Sequence, residues 1–297
     1  MYRTYRENKI QIIIGHIILY ATNYMAGDVM QTFYYGIGFG NDLKIPAHDI
    51  LISTSSCWKK IKGVYQLVVP EILSNPDSIW IDSGGFTCFT KWADYPWSIP
   101  EYVDFILRFC QRYPQVKYVS VMDLPCEPSI KRDRLETKET TNIQRIHQTI
   151  QNTRDCLRYK IPAKWVSVIQ GYSKFEYAYC ASLMHQFRLF TGVTAIGSIC
   201  QRKKTKQLKD YLHFITKLAN VKWHTFGMQI SVLKDKTIAD LLESSDSGAW
   251  KFKDYKNGTF KPTTYEQKLE NYIRYSLNIH EQVLGDYRYR NLASGLT

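Results

Sequence analysis

The feature that most constrains the fold is an alternation of short apolar, β-rich runs with longer segments of helical periodicity. Eight runs end in small or polar residues and are candidate strands, at residues 31–38, 49–56, 78–85, 118–124, 165–172, 193–200, 222–229 and 241–247. Strands that alternate with helices favour a parallel sheet covered by helices. Eight such units predict an α/β fold of the (β/α)8 TIM-barrel type rather than an open doubly wound sheet.

Apolar stripes at helical spacing lie between the runs, at residues 102–110, 143–157, 177–187, 208–218 and 269–284. The last stripe predicts a C-terminal helix at about residues 263–285. No Gly-x-Gly-x-x-Gly follows the first run, which argues against a dinucleotide-binding sheet. No linker rich in Gly, Ser or Pro divides the chain, so we expect residues 1–297 to form one domain with a core at about 30–250.

Charge and cysteine usage narrow the class of protein. Thirty-nine Lys and Arg against 27 Asp and Glu give a net charge of +12, which favours a polyanionic partner or a basic enzyme surface. The most apolar run, Ile10 to Tyr20, is too short to cross a membrane, and we expect a buried strand or short helix there and no membrane association. The seven cysteines form no Cys-x-x-Cys pair, which predicts reduced, mostly buried thiols in a cytoplasmic protein.

Polar residues at the strand ends are the candidate site, because barrel enzymes build their active sites at the C-terminal ends of the strands. These ends carry Asp82-Ser83-Gly84-Gly85-Phe86, Asp123, Gln170-Gly171, Gly197-Ser198, Gly227 and Asp246-Ser247-Gly248. Three carboxylates at one mouth suit acid–base and covalent chemistry at a cationic centre such as a glycosyl carbon. Each residue also has a structural interpretation, since a strand-end Asp often caps a helix and glycines form turns.

Two basic clusters follow strand ends and are candidate nucleic-acid contacts. The first contains Arg202, Lys203, Lys204, Lys206 and Lys209, and the second contains Lys251, Lys253, Lys256 and Lys261, interleaved with Trp250, Phe252, Tyr255 and Phe260. Lysines in such clusters bind the phosphates of a nucleic-acid backbone, and exposed bases stack on aromatic side chains. A solvated helix face with ordinary loop aromatics is the alternative interpretation.

Taken in order, these motifs resemble those of the tRNA-guanine transglycosylase superfamily over roughly residues 30 to 250. Asp82-Ser83-Gly84-Gly85-Phe86 resembles the family's Asp-Ser-Gly-Gly-Phe signature, and Asp123, followed by Cys126, resembles its base-recognition aspartate. Further matches are Ile169-Gln170-Gly171 to Val-Gln-Gly, Ala195-Ile196-Gly197-Ser198 to Ala-Ile-Gly-Gly, and Phe226-Gly227-Met228 to a Met-Gly strand. Asp246 falls where the family has its nucleophilic aspartate.

Departures from the tRNA enzymes point to one branch of that superfamily. No cysteine follows Cys200, so the zinc-ligand run after the nucleophile is absent, and we expect neither metal nor cofactor. We also expect no counterpart of the C-terminal RNA-binding domain of archaeal members, and Asp246-Ser247-Gly248-Ala249-Trp250 replaces the usual Thr-Arg stretch. This layout is most similar to the DpdA-type DNA 7-deazaguanine transglycosylases of phages and bacteria, which implies the bacterial cytoplasm, a phage host's included.

The resemblance implies that guanine in DNA is exchanged for a free 7-deazaguanine such as preQ0 through a glycosyl–aspartate intermediate. Asp246 would be the nucleophile and Asp82 the general base. The implied base contacts are Asp123, Gln170, Gly197 and Ser198, with Ser83 and Gly84 beside them and Phe86 and Met228 as stacking faces.

Three alternatives remain open at this point. They are the same exchange on tRNA, a non-catalytic nucleic-acid-binding barrel, and a hydrolytic glycosidase acting on a nucleoside. Aspartates aimed at a polyanion argue against the pure binder, because they repel phosphate. A nucleoside substrate, in turn, does not call for a net charge of +12.

Overall fold

Eight parallel strands close into a barrel in the computed structural model, which describes residues 30–38, 40–130, 141–202, 205–251, 262 and 264–284. The barrel strands are β1 (Thr32–Ile37), β2 (Asp49–Ser53), β5 (Ser78–Asp82), β6 (Val116–Ser120), β7 (Lys164–Ile169), β8 (Val193–Ile196), β9 (Lys222–Thr225) and β10 (Ser244–Ser247). Consecutive barrel strands pair in parallel, and pairing of β1 with β10 closes the sheet. The predicted (β/α)8 TIM-type barrel is therefore confirmed.

Helices cover the outside of the barrel. They are α1 (Gly85–Lys91), α2 (Ile99–Arg112), α3 (Asn142–Cys156), α4 (Lys174–Phe187), α5 (Thr205–Ile215), α6 (Ile230–Leu233), α7 (Lys236–Ala239) and α8 (Tyr265–Gln282). Helices α2, α3, α4 and α8 each begin with a capping box, in which a Ser or Thr and a Glu or Gln three residues later bond each other's backbone N–H. All five predicted apolar stripes coincide with helices, and four of those helices carry this local start signal.

A two-stranded hairpin stands where a helix would connect β2 to β5. Its strands are β3 (Trp58–Ile61) and β4 (Val64–Leu67), paired antiparallel. The turn residues Lys62 and Gly63 have φ values of 49° and 88°, the left-handed pair that tight hairpins require. The strand and helix periodicities predict no such hairpin, so it is an addition to the expected barrel.

The barrel interior is filled by aromatic rings below the mouth. Trp80 stacks on His224 with ring centroids 4.1 Å apart, and Tyr34 meets Trp80 edge-on at 5.4 Å. The Trp80 indole N–H donates to Ser120 Oγ at 2.9 Å, so this buried polar atom has a partner. Packed rings fill this level of the barrel, so the polar strand ends sit on an apolar floor.

Several predictions concern parts of the chain outside the candidate site. Six of the seven cysteines are buried, as predicted, and none of the seven lies in a disulfide. The predicted C-terminal helix is α8, whose Ser276 accepts a hydrogen bond from the Tyr35 hydroxyl at 3.0 Å. The run from Ile10 to Tyr20 lies outside the described residues. Within the described ranges, no helix combines the length and apolarity needed to cross a bilayer.

Candidate active site

The turn after β5 brings the Asp-Ser-Gly-Gly-Phe motif against two neighbouring strand ends. Gly84 has φ of 81°, and a Cβ built there would lie 2.6 Å from Ser55 N. A Cβ on Gly85 would lie 2.7 Å from the backbone oxygen of Asp123. Both glycines are therefore needed, one for its left-handed backbone and both for close approach. This packing fixes Asp82 beside the end of β6.

Asp82 is half-buried at the end of β5, and its Oδ2 accepts a hydrogen bond from Gly84 N at 3.0 Å. The interpretation of Asp82 as a helix-capping residue is therefore correct in part, because its carboxylate accepts a hydrogen bond from the backbone just before α1. Burial, reinforced by the nearby charges of Asp123 and Asp246, raises the pKa of Asp82 to about 7. A carboxyl with that pKa can both give and take a proton near neutral pH.

Asp123 is buried just beyond β6, with a hydrogen bond to each carboxylate oxygen. Ser83 Oγ donates to Oδ1 at 2.7 Å, and Gln170 Nε2 donates to Oδ2. The Tyr95 hydroxyl donates to the Asp123 backbone oxygen at 2.7 Å. Burial raises the pKa of Asp123, and the two side-chain bonds oppose that effect. Residues from three strand ends thus present a hydrogen-bonding edge suited to a planar base.

Ser198 extends this network to a carboxyl that the sequence analysis missed. Its Oγ lies 2.6 Å from Gln170 Oε1 and 2.7 Å from Glu127 Oε2, and it accepts from Cys126 N at 2.6 Å. One hydroxyl proton cannot serve both Gln170 and Glu127. Burial raises the pKa of Glu127, which favours a neutral carboxyl that donates to Ser198, so that Ser198 donates to Gln170. These bonds hold Ser198 at φ of 54° and fix the Gln170 amide.

Asp246 occupies β10 at the same mouth and is 6% exposed. Its Oδ1 accepts from Gly227 N at 3.0 Å, and its backbone oxygen accepts from Met228 N at 3.0 Å. His224 Nε2 lies 3.4 Å from the same Oδ1. The imidazole is fully buried, which lowers the pKa of His224 and favours its neutral form. The carboxylate is thus aimed by a backbone N–H and a buried ring.

His224 and Glu127 had only weak sequence signals. A lone His in an apolar strand is usually a core residue, and His224 does stack in the barrel core. Glu127 lies four positions after Asp123, in a segment without helical or strand periodicity. The one signal that could have identified Glu127 is its place shortly after a candidate strand end.

Ser83 and Ser198 lie in the same hydrogen-bond network as Asp123 and Gln170, and Gly84 donates its backbone N–H to Asp82. A Cβ built on Gly197 would lie 2.6 Å from Gln170 Cδ, so the Gly197 backbone lies directly against the Gln170 amide. The two stacking candidates differ from each other in burial. Phe86 is 37% exposed on the first turn of α1, whereas Met228 is 2% exposed and packs in the core outside the barrel.

The predicted basic contacts divide into engaged and exposed residues. Arg202 is 5% exposed; its guanidinium donates to Tyr172 O at 2.6 Å and lies over the Tyr172 and Tyr211 rings, so it supports the loop. Lys251 lies 3.9 Å from Asp42. Lys206 is exposed at the start of α5. Lys209 pairs with Asp235. The other five lysines of the two clusters lie outside the described residues: Lys203, Lys204, Lys253, Lys256 and Lys261.

The arrangement suits nucleophilic and acid–base chemistry. Two carboxyls, Asp82 and Asp246, share one mouth in different environments, beside a buried recognition network that includes Asp123 and Gln170. In the ranges that the structure describes, no group of three or more His, Cys, Asp and Glu side chains is placed to hold a metal ion.

Comparison with known families gives one result that agrees with this geometry. The chain matches the family DpdA, DeoxyPurine in DNA protein A, over residues 67–292. A search of curated proteins finds no match. The matched range spans the strand ends that carry Asp82, Asp123, Gln170 and Asp246 and more than half of the chain. The resemblance drawn from the motifs is thereby confirmed, and the chain belongs to the DpdA family, with a DNA-modifying transglycosylase role.

Proposed function

We propose that the protein exchanges guanine in DNA for a free 7-deazaguanine base, such as preQ0, through a covalent intermediate on Asp246. The observation that carries the proposal is the pair of carboxyls at one mouth. Asp246 is held by Gly227 N and has His224 beside it, whereas the pKa of Asp82 is raised to about 7. Such separated environments assign one carboxyl to covalent attack and the other to proton transfer.

The first displacement forms a glycosyl ester. An Asp246 carboxylate oxygen attacks C1′ of the deoxynucleotide from the face opposite the base, and the C1′–N9 bond breaks. Its electron pair stays on guanine, and the neutral Asp82 carboxyl supplies the proton that guanine needs to leave. Protonated Asp82 is available near neutral pH because burial and two neighbouring charges raise its pKa.

The second displacement installs the new base. Asp82, now a carboxylate, takes the proton from N9 of the incoming deazaguanine, whose N9 attacks C1′ and expels the Asp246 carboxylate. Two displacements retain the configuration at C1′. The proton that Asp82 gave in the first step is recovered in the second, so the exchange needs no external acid or base.

Recognition of both bases is assigned to the hydrogen-bonded network. The Asp123 carboxylate accepts from N1–H and the 2-amino group, which compete with the present bonds from Ser83 and Gln170. The Gln170 amide and the backbone of Gly197 and Ser198 face the 6-oxo group and the 7-substituent. Phe86 and Met228 stay our candidates for the stacking faces.

DNA contact is assigned to basic residues that follow strands β8 and β10 in the sequence. Lys206 is the exposed member of the first cluster within the described ranges, and Lys203, Lys204, Lys251 and Lys253 complete the proposed surface. Because each phosphate contact releases counterions, affinity for DNA should fall steeply with salt. The polynucleotide must present its target base outside the stack, since C1′ is otherwise shielded.

The test is incorporation of labelled preQ0 into a guanine-containing DNA oligonucleotide and into tRNA, with wild type, Asp246→Asn and the exposed control Asp240→Asn. We expect label in DNA and a DNA–protein adduct on a denaturing gel for wild type and Asp240→Asn, and neither for Asp246→Asn. DNA binding should survive in Asp246→Asn, because removing a negative charge does not weaken attraction to phosphates. Label in tRNA alone, or an adduct with Asp246→Asn, would contradict the proposal.

A further inference from the structure

The β3–β4 hairpin starts beside the candidate active site. Strand β2 ends at Ser53, which is in register with Asp82 of β5. The short turn Thr54–Cys57 follows, and Thr54 Oγ1 donates to the Asp82 backbone oxygen at 2.7 Å. The close approach of Gly84 to Ser55 N locks this turn against the catalytic motif. The base of the hairpin is therefore positioned by the same contacts that position Asp82.

The base of the hairpin is fixed on the barrel wall. Trp58 packs against Trp97 with ring centroids 5.5 Å apart and stacks on Tyr65 across the hairpin at 5.9 Å. The Arg108 guanidinium donates to Leu67 O at 3.3 Å. Four residue pairs connect the strands, from Trp58 with Leu67 to Ile61 with Val64. Because both strands are anchored where the hairpin leaves the barrel, the hairpin projects in a defined direction.

The tip is both apolar and basic. Ile61 and Val64 face each other on one side of the hairpin and are 42% and 68% exposed. Residues 54–70 contain three lysines, Lys59, Lys60 and Lys62, and no Asp or Glu. Exposed aliphatic side chains flanked by positive charge suit a polyanion that also offers an apolar surface, and a nucleic acid with an open base step has both properties.

We propose that this hairpin binds the DNA beside the exchanged nucleotide, with its lysines on phosphates and Ile61 and Val64 against the bases that flank the vacated position. The inference rests on the proposed function, because it takes DNA as the polymer. Extruding a base leaves a gap in the stack, and apolar wedges are a common means of filling such gaps. Strands of four residues reach about 13 Å, enough to span several base steps. The hairpin tip, at residues 61–64, lies outside the range that matches the DpdA family, which begins at residue 67.

The first experiment compares two DNA substrates. Rates of preQ0 incorporation are measured for Ile61→Ser/Val64→Ser on a fully paired duplex and on the same sequence with the target guanine in an unpaired bubble. We expect at least a tenfold loss on the duplex and less than a threefold change on the bubble, where the gap already exists. The control is Leu107→Ser on α2, an exposed apolar residue outside the hairpin, which should change neither rate. Unchanged rates, or equal losses on both substrates, would overturn the wedge.

The second experiment is independent of turnover. DNA affinity is measured against salt for Lys60→Gln/Lys62→Gln and for Lys160→Gln/Lys217→Gln, whose exposed lysines lie at the opposite end of the barrel. The log–log salt slope should fall by up to about 2 in the hairpin variant, at roughly 0.9 per phosphate contact on duplex DNA, and should not change in the control. Equal slopes for the two variants would overturn the hairpin's contact with phosphates. If the salt slope falls in the hairpin variant but wild type incorporates no preQ0, the proposed exchange is refuted and the hairpin remains a DNA-binding surface.

Discussion

Replacing Asp82 by Asn should stabilise the protein at high pH and much less at low pH. Burial, with Asp123 and Asp246 nearby, raises the pKa of Asp82 from 3.8 to about 7 in the folded state. The folded protein therefore holds the Asp82 proton over a range where the unfolded chain has lost it. Because a raised carboxyl pKa opposes ionisation, stability falls as pH rises from about 4 to about 7 and stays low above that.

The size of the effect follows from the two pKa values. A difference of one pKa unit corresponds to about 1.4 kcal/mol, so the ionised Asp82 carboxylate costs the folded state at most about 4 kcal/mol. Asn has nearly the shape of the neutral carboxyl and carries no charge, so Asp82→Asn removes this cost. Between pH 4.5 and pH 8.5 the unfolding free energy of the variant should rise by about 3 kcal/mol relative to wild type.

The assay is urea unfolding of wild type and Asp82→Asn at pH 4.5, 6, 7 and 8.5, with the slope m checked for constancy. Comparing the change with pH, rather than the stability at one pH, cancels any pH-independent effect of the substitution. Asp235→Asn is the control: a hydrogen bond from Lys209 lowers the pKa of Asp235 to about 2, so this carboxyl is ionised in the folded and the unfolded chain throughout the series, and the stability difference between that variant and wild type should stay nearly constant from pH 4.5 to 8.5. A stability difference between Asp82→Asn and wild type that stays constant from pH 4.5 to 8.5 would refute the raised pKa.

Substitutions at three further residues test the rest of the site. His224→Phe keeps a ring in the core but removes the ring nitrogen that lies 3.4 Å from Asp246 Oδ1, so the single-turnover rate of adduct formation should fall roughly tenfold with DNA affinity unchanged; an unchanged rate would contradict a role for this contact. Gly197→Ala forces a Cβ onto the buried Gln170 amide, so KM for the free base should rise at least tenfold in the folded variant; an unchanged KM would remove Gln170 from base recognition. Glu127→Gln should keep exchange activity and Glu127→Ala should lose it, because a neutral donor is what the buried network needs; loss in both variants, measured as kcat against pH, would show that the ionised form is required.

The sequence was a good guide to the barrel. The two periodicities that define strands and helices are local, and the capping boxes of α2, α3, α4 and α8 mark helix starts within four residues. The C-terminal ends of parallel strands must converge, so the strand pattern alone was enough to assign Asp82, Asp123, Gln170 and Asp246 to one mouth. The hairpin was missed because its connection replaces a helix that the barrel pattern leads one to expect.

Exposure of the basic residues could not be predicted from their spacing. Arg202 was expected on a DNA-binding surface, yet its guanidinium lies between the Tyr172 and Tyr211 rings and donates to a backbone oxygen. Lys206, four positions later, is exposed. A run of like charges does not show which members fold inward, because that depends on aromatic partners about 10 to 30 residues away in the chain.

By itself the sequence determined the order of strands and helices, the identity of the strand-end carboxylates and the family resemblance, because each depends on neighbouring residues or on the order of short motifs. Only the tertiary structure decided which carboxyl holds a proton and which partners fix the others. The Ser198–Glu127 contact joins residues 71 positions apart, and His224 of β9 lies 3.4 Å from Asp246 of the neighbouring strand β10. The pKa of Asp82 likewise depends on burial and on two distant charges. These quantities arise only when barrel closure excludes water and brings separate strand ends together, which is a property of the folded chain and not of any segment of it.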